Sequence, residues 1–372
     1  MTPKRYIFLL ARFVPFWVIT FAVVTLTVDP YGVSPLNAEI SYVNEVKPRR
    51  LDIDRIIKPY EVWKYQPETV FLGTSRIHQS INPMILDGTN FATAYNASIP
   101  ASSLSMNISH LRQYLELNPN LKTVFVELFV YNFLGQGQDQ VSKSIWEFAT
   151  NIAKLFVSAD VLWDSVVTLL YNATDGKPRY VIEAGGNFYY PPGHDARGTY
   201  AGFAAGIWQM APKGADSMVL HAPAIETVRQ LQAVANDNGL EMVFIATPNH
   251  AYHDYFIEKI GGWAVVEDWL TQVTSLGTVV SFSQPNDLVY EPVSAEMKYW
   301  NDPFHFSLSM GEAISRSLIG DTEGLPANFM VRLTPDMVPA HIAARRGAVR
   351  SWAEENPDYV AKLEQERLKH QQ

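Results

Sequence analysis

"VFLGTSRIHQS", residues 70–80, decides how this chain is read. With Thr69 in front of it, an unbroken run of β-branched and apolar residues stops at Gly73 and passes at once to Thr74-Ser75-Arg76. Such an ending either turns a corner or sets a small hydroxyl residue at the lip of a sheet. Runs of the same kind recur at KTVFVEL (122–128), MVFIATP (242–248) and TVVSFS (278–283), and helix-length segments lie between them at 102–117, 223–238 and 263–275. Continuous apolar strands alternating with helices predict an α/β domain with a parallel sheet covered on both faces. Ligands of such sheets gather beyond the carboxyl ends of the strands. Ser75 follows the first such end.

The 372 residues suffice for one large domain or two ordinary ones. Charged residues make up 18% of the chain, below the roughly 25% usual in soluble proteins, whereas Tyr, Phe and Trp number 18, 19 and 9. This balance points to membrane association or an aromatic-lined groove. A net charge of −9, with no Lys/Arg run longer than two, argues against nucleic acid as a partner. The absence of cysteine excludes disulfides, thiolate zinc sites and iron–sulfur clusters. His250, His253 and Asp254 in PNHAYHD (248–254) have part of a metal-site spacing but lack a third side of ligands, so neither metal nor cofactor is expected.

Residues 6–28, YIFLLARFVPFWVITFAVVTLTV, carry Arg12 as their one charge and have the length of a membrane-spanning helix. The run is longer than a signal-peptide core and no A-x-A-like site follows, so the reading is an uncleaved anchor. Lys4 and Arg5 precede it and Lys47 is the first cation after it, which places residues 1–5 in the cytoplasm and the rest outside a bacterial inner membrane. The expected organisation is an α/β domain over 29–330 with a helical and loop insertion at 135–220, then a charged helical tail at 331–372. Within the insertion, GGNFYYPPGHDARGTYAGF (185–203) offers Tyr189 and Tyr190 as exposed rings for a sugar face.

Serine acyl chemistry needs a nucleophile, an imidazole, a carboxylate that orients it, and donors for the oxyanion. In YWNDPFHFSLSMGEAI (299–314), Asp302 and His305 are three apart, so on one turn the acid can fix the tautomer of a histidine reaching Ser75. Arg76 either contacts an anionic substrate group or caps the first helix. Asn96 can bond the nucleophile loop, and His250, at a strand's carboxyl end, can line the same cleft.

G-T-S-R (73–76), Y-N-A-S-I-P (95–100) and D-P-F-H (302–305) resemble blocks of the SGNH (GDSL-like) hydrolase superfamily. The likeness is greatest to its membrane-anchored extracytoplasmic branch, which includes alginate O-acetyltransferase-like proteins. It covers about residues 29–320, with DPYG (29–32), ATPNH (246–250) and HFSLSMG (305–311) fitting that branch. The resemblance implies an SGNH/flavodoxin-like three-layer fold with Ser75 as nucleophile, Asp302 as acid and His305 as base. Its oxyanion donors would be the Ser75 N–H, the N–H of Ser98, which stands where the family has glycine, and the Asn132 side chain. FVELFVYNF (125–133) lacks the family's glycine before that asparagine.

The implied activity is transfer of an acyl group, acetyl first, to a sugar hydroxyl of an extracytoplasmic polysaccharide through a seryl ester. An esterase of the same fold is the alternative within this class. A transferase outside the membrane further implies an integral-membrane acyl-donor protein. The missing block glycines fit a different class, a catalytically idle domain that binds polysaccharide or scaffolds a complex.

Overall fold

The computed structural model describes residues 3–36, 38–134, 145–174, 176–190, 200–210, 212 and 214–369. Its helices are α1 (Pro3–Val28), α2 (Asp54–Tyr65), α3 (Ser75–Ser80), α4 (Leu104–Leu117), α5 (Ile145–Phe156), α6 (Ala159–Thr174), α7 (Tyr200–Met210), α8 (Ala222–Asp237), α9 (Ala251–Ile260), α10 (Trp263–Thr274), α11 (Leu308–Leu318), α12 (Val338–Glu355) and α13 (Pro357–Lys369). The strands are β1 (Thr69–Leu72), β2 (Ala94–Asn96), β3 (Thr123–Leu128), β4 (Val181–Ile182), β5 (Phe188–Tyr189), β6 (Glu241–Ala246), β7 (Thr278–Ser281) and β8 (Val331–Leu333). They group into two compact units, residues 1–61 with 142–181, and residues 62–141 with 182–372.

The smaller unit is helical. Its α1 contains an 18-residue window, Ala11–Val28, of mean hydropathy 1.8, which is long and apolar enough to cross a membrane. Within α1, the Arg12 guanidinium lies 4.3 Å over the Phe8 ring. The end of α1 is tied down: Thr25 Oγ1 donates to the Phe156 carbonyl at 2.9 Å, and Asn44 Nδ2 to the Thr27 carbonyl at 3.0 Å. Tyr31, Val33, Ile57 and Tyr60 bury against Leu155 and Val161. Arg50 pairs with Asp54 at 2.9 Å and Glu61 at 2.8 Å in the interior, since buried charges survive folding only when matched. Residues 29–61 therefore belong with the anchor helix and α5–α6, not with the sheet domain that the sequence pattern assigned them to; their apolar side chains find partners there.

The larger unit is built on a six-stranded sheet of order β2-β1-β3-β6-β7-β8. Neighbours from β2 to β7 run parallel, and β8 runs antiparallel to β7 on the edge. All four residues of β1 and all six of β3 are buried, as expected of parallel strands covered on both faces. Phe71 pairs in register with Phe125, and their rings stack at 4.7 Å. β1 leads outward to β2 on one side while the later strands extend on the other, so the order reverses between β1 and β3. That is the crevice where open α/β sheets hold ligands.

The segment 331–372 is not simply a surface tail. β8 pairs with β7, and α12 buries Val338, Ile342, Val349 and Trp352. The loop segment 185–203 of the expected insertion is described at 185–190 and from Tyr200 onward, and the intervening residues lie outside the described ones. Where α11 passes the end of α3, a Cβ on Gly311 would fall 1.8 Å from the Ser80 carbonyl oxygen, so the glycine permits that approach.

Candidate active site

Gly73 ends β1 because of what lies beside it. A Cβ there would meet Ile77 Cγ1 at 2.8 Å and Glu127 Cβ and Oε2 at 2.9 Å. Glu127 reaches across from β3: its Oε2 accepts from the Thr74 N–H at 2.7 Å and from the Thr74 hydroxyl at 2.8 Å. Thr74 in turn caps α3, accepting from the Arg76 N–H at 3.3 Å. Ile99 N–H and Ser102 Oγ both donate to the Gly73 carbonyl, at 3.0 and 2.6 Å. The turn that carries Ser75 is thus pinned from β3 and from the loop that follows β2.

The partner loop is pinned as firmly. Trp300 and Phe306 form an antiparallel bridge, Asn301 N–H donates to the His305 carbonyl at 2.8 Å, and the buried Trp300 indole donates to the Leu288 carbonyl at 2.9 Å. This tight loop presents Asp302 and His305 on one side. Asp302 Oδ1 accepts from the backbone N–H of Phe304 and of His305, each at 2.8 Å, and Oδ2 lies 2.7 Å from His305 Nδ1. The other ring nitrogen, Nε2, is 2.8 Å from Ser75 Oγ, across 230 residues of sequence. Burial alone would raise the Asp302 carboxyl, but the bonds from the His305 ring and the two backbone donors outweigh it and hold the group below its ordinary value. An ionised Asp302 fixes Nδ1–H and leaves Nε2 free to accept the serine proton.

Among the described residues the Ser75 N–H has no acceptor in the protein, and Asn132 Nδ2 is buried without a partner. Asn132 sits in the turn after β3, next to Tyr131, whose ring packs 5.8 Å from Phe304 of the histidine loop. Two donors without acceptors thus stand after neighbouring strands, the Ser75 N–H after β1 and Asn132 Nδ2 after β3. The third sequence candidate, Ser98, is not free: its N–H donates to Asn96 Oδ1 at 3.2 Å and its hydroxyl to the Phe71 carbonyl at 3.3 Å.

Three further candidates are occupied by the scaffold. Asn96 Nδ2 donates to the Ile77 and Ile81 carbonyls, both at 2.9 Å, and so closes the end of α3. Arg76 is 1% exposed, bonds the Pro248 carbonyl, lies 3.6 Å from Glu127 Oε1 and rests 4.2 Å over the Phe129 ring, out of reach of substrate. His250 is fully buried; Nδ1 accepts from the Tyr252 N–H at 3.1 Å and Nε2 donates to the Glu291 carbonyl at 2.6 Å. Its neighbour His253 lies between Tyr131 OH at 2.9 Å and Asp254 Oδ1 at 3.3 Å, and Asp254 pairs with Arg345 at 2.7 Å. The ring nitrogens of both histidines are used within the protein.

Tyr189 and Tyr190, by contrast, are half-buried and line a cleft of about 210 Å³ together with Gln79, Lys298, Asn301 and Ser307. Gln79 is one turn along α3 from Ser75, and Asn301 and Ser307 bracket the Asp302–His305 loop. The cleft thus adjoins the serine and histidine. Sequence reasoning passed over Gln79, Asn301 and Glu127; only Glu127 left a signal, a lone carboxylate inside an otherwise apolar strand.

Burial pushes the imidazoles of His250 and His341 down, to about 4 and about 3. An unfolded imidazole titrates near 6.5, so below that pH the unfolded chain binds protons that the folded one refuses. Stability then falls with acid between pH 6.5 and 4, by about 1.4 kcal/mol per pH unit for each histidine. The urea midpoint of the detergent-solubilised chain should decline steadily over that range, and a flat midpoint would show that both rings are protonated in place.

No family model and no curated protein matches the chain. Among solved structures, one described as "a putative platelet activating factor from Streptococcus pneumonia" is similar to 72% of this chain and 92% of its own, at 14% identity and a TM-score of 0.37. Likeness at that level leaves the reading of the site to its own geometry.

Proposed function

We propose that the larger unit is a serine-dependent acyl-transfer enzyme in which Ser75 forms an acyl ester, His305 moves the proton and Asp302 orients His305. The observation that carries this reading is the continuous chain Ser75 Oγ–His305 Nε2–Asp302 Oδ2, with links of 2.8 and 2.7 Å. Attack of Oγ on an acyl carbonyl delivers the serine proton to Nε2. Collapse of the tetrahedral adduct returns that proton to the leaving oxygen, and the cycle repeats in reverse with the acceptor. Ser75 N–H and Asn132 Nδ2 are the donors for the oxyanion.

The strand order and the triad are consistent with an SGNH/flavodoxin-like three-layer domain. Tyr189 and Tyr190 beside the triad favour a carbohydrate, whose flat apolar faces stack on aromatic rings. The acceptor is then a sugar hydroxyl of an extracytoplasmic polysaccharide, the acyl group acetyl and the donor an integral-membrane acyl carrier, as the sequence resemblance implies. α1 anchors the chain in lipid, and the Lys4 and Arg5 that precede it favour a larger unit outside a bacterial inner membrane. An esterase differs in the acceptor alone, water in place of the sugar.

Fluorophosphonate labelling of the full chain, followed by intact mass, tests the reading. One adduct is expected on the wild type and none on Ser75→Ala or His305→Ala. A folded wild type without an adduct would return the protein to the idle, polysaccharide-binding class. With an active serine in hand, an acetyl donor with and without glycan acceptor separates transferase from esterase: acetylated glycan in one case, free acetate in both conditions in the other.

A further inference from the structure

The helix α6 presents to its surroundings a side that no soluble helix would leave bare. Leu162, Trp163, Val166 and Leu170 are 37%, 64%, 40% and 60% exposed, and Ala159 and Ala173 continue the same side. Their spacing of three, four and seven residues sets them on one face with no charge among them. Of the two acids of α6, Asp164 points elsewhere, accepting from Tyr31 OH at 2.8 Å and lying 3.8 Å from Arg49, and Asp160 is exposed in the first turn. The buried face is used up as well, by Val161, Ser165, Thr168 and Asn172.

This bare face is fastened to the apolar helix of the same unit. Phe21 of α1, Ile152 and Phe156 pack against the same buried cluster, and Thr25 bonds the Phe156 carbonyl. The α5–α6 turn, with Val157 50% exposed, therefore sits level with the last turns of the Ala11–Val28 window, not beyond it. Beside the end of α1, Leu36, Ile40 and Tyr42 are also exposed, on a loop that Asn44 holds to the Thr27 carbonyl. If α1 spans, a turn at the height of Thr25 is inside the bilayer boundary by about 1.5 Å for each residue short of Val28. Apolar surface at that depth meets acyl chains, and a tryptophan there has the amphipathic ring favoured at the headgroup level.

We propose that α6 is a second membrane contact, an interfacial helix whose Leu162, Trp163, Val166 and Leu170 face is immersed in lipid beside α1. This rests on the reading of α1 as a membrane span. Contact at both α1 and α6 fixes the tilt of the helical unit against the bilayer, which a single helix leaves free.

The cysteine-free chain makes the test direct, since one introduced cysteine carries one spin label. Val166→Cys and Leu170→Cys are labelled in the full chain in lipid nanodiscs, with Val18→Cys in α1 and the exposed Glu116→Cys in α4 as lipid and water standards. Collisions with oxygen, which concentrates in lipid, are compared with those of a polar nickel chelate, which does not enter it. Labels at 166 and 170 are expected to follow Val18, with oxygen dominant. Labels at 166 and 170 that follow Glu116, while 18 remains lipid-like, overturn the proposal and leave the anchor intact. Shielding of 166 and 170 from both reagents also overturns it, because a protein then covers the face. A water-like label at 18 removes the anchor reading, and the proposal with it.

Discussion

Asp302→Asn is expected to lower turnover by about 10³ to 10⁴-fold with a modest loss in unfolding midpoint, and Ser75→Ala to abolish the acyl-enzyme with little change in that midpoint. The reason lies in the bonds each atom makes. An amide at position 302 can present its NH₂ to Nδ1, which forces the imidazole proton onto Nε2, the atom that must accept from Ser75 at 2.8 Å. The Asp302 side chain is 33% exposed and Ser75 is half-buried, so neither change opens a hole in the core. Because the three groups act as one unit, Ser75→Ala combined with His305→Ala should be no slower than the worse single variant. The acid dependence has a definite sign. A carboxyl held below its ordinary 3.8 contributes stability that is fully present above that pH and is lost as pH falls through the lower folded value. The stability difference between wild type and Asp302→Asn is therefore constant from neutrality to about pH 4 and shrinks below it. Equal turnover in wild type and Asp302→Asn would remove Asp302 from the mechanism.

The strands that carry the site were readable in sequence because a parallel strand buried on both faces has no polar side to interrupt its apolar run; TVFL, TVFVEL, EMVFIA and TVVS sit within two residues of where the pattern put them. The Asp302–His305 pair was readable because three residues of separation in a tight loop suffice to bring the groups together. Other features had no such signature. β8 is Val331-Arg332-Leu333, too short for any period, and its place in the sheet comes from pairing with β7. Polar residues near Ser75 misled for a common reason. Asn96, Arg76, His250 and Ser98 all lie where strands and helices end, and backbone groups orphaned there must find partners. Ile77, Ile81, Pro248, Glu291 and Phe71 supply the carbonyls that consume them. Sequence shows that a polar side chain stands at such an end; it does not show whether that side chain faces a ligand or a carbonyl. The division into two units was hidden in the same way, since Tyr31, Val33, Ile57 and Tyr60 look like any apolar residues until Leu155 and Val161 are seen to cover them.

Glu127→Ala is expected to destabilise the larger unit by about 3–5 kcal/mol, the largest effect of any substitution outside the triad on the labelling of Ser75. Glu127 is 1% exposed and holds four groups at once: the Thr74 N–H, the Thr74 hydroxyl, the Thr247 hydroxyl at 3.3 Å and the charge of Arg76. Burial pushes the Arg76 guanidinium down to about 10, with Glu127 the foremost group opposing the shift, so it is still cationic at neutral pH and needs that carboxylate. Removing Glu127 leaves a cation in the interior with no counter-charge at that position and frees the turn that holds Ser75. Glu127→Gln separates the two roles, because its amide oxygen can still accept from Thr74 while the charge is gone; it should lose stability but keep more of the labelling rate than Glu127→Ala. The double variant Glu127→Gln with Arg76→Met removes both charges and fills the space, and it should regain much of the stability lost in Glu127→Gln alone, since the greater part of the loss is an unpaired charge and not a missing bond. Denaturant midpoints of the four proteins, closed as a cycle, measure that coupling directly. A double variant no more stable than Glu127→Gln would mean that Glu127 serves Thr74 and Thr247 alone and that Arg76 is neutralised elsewhere.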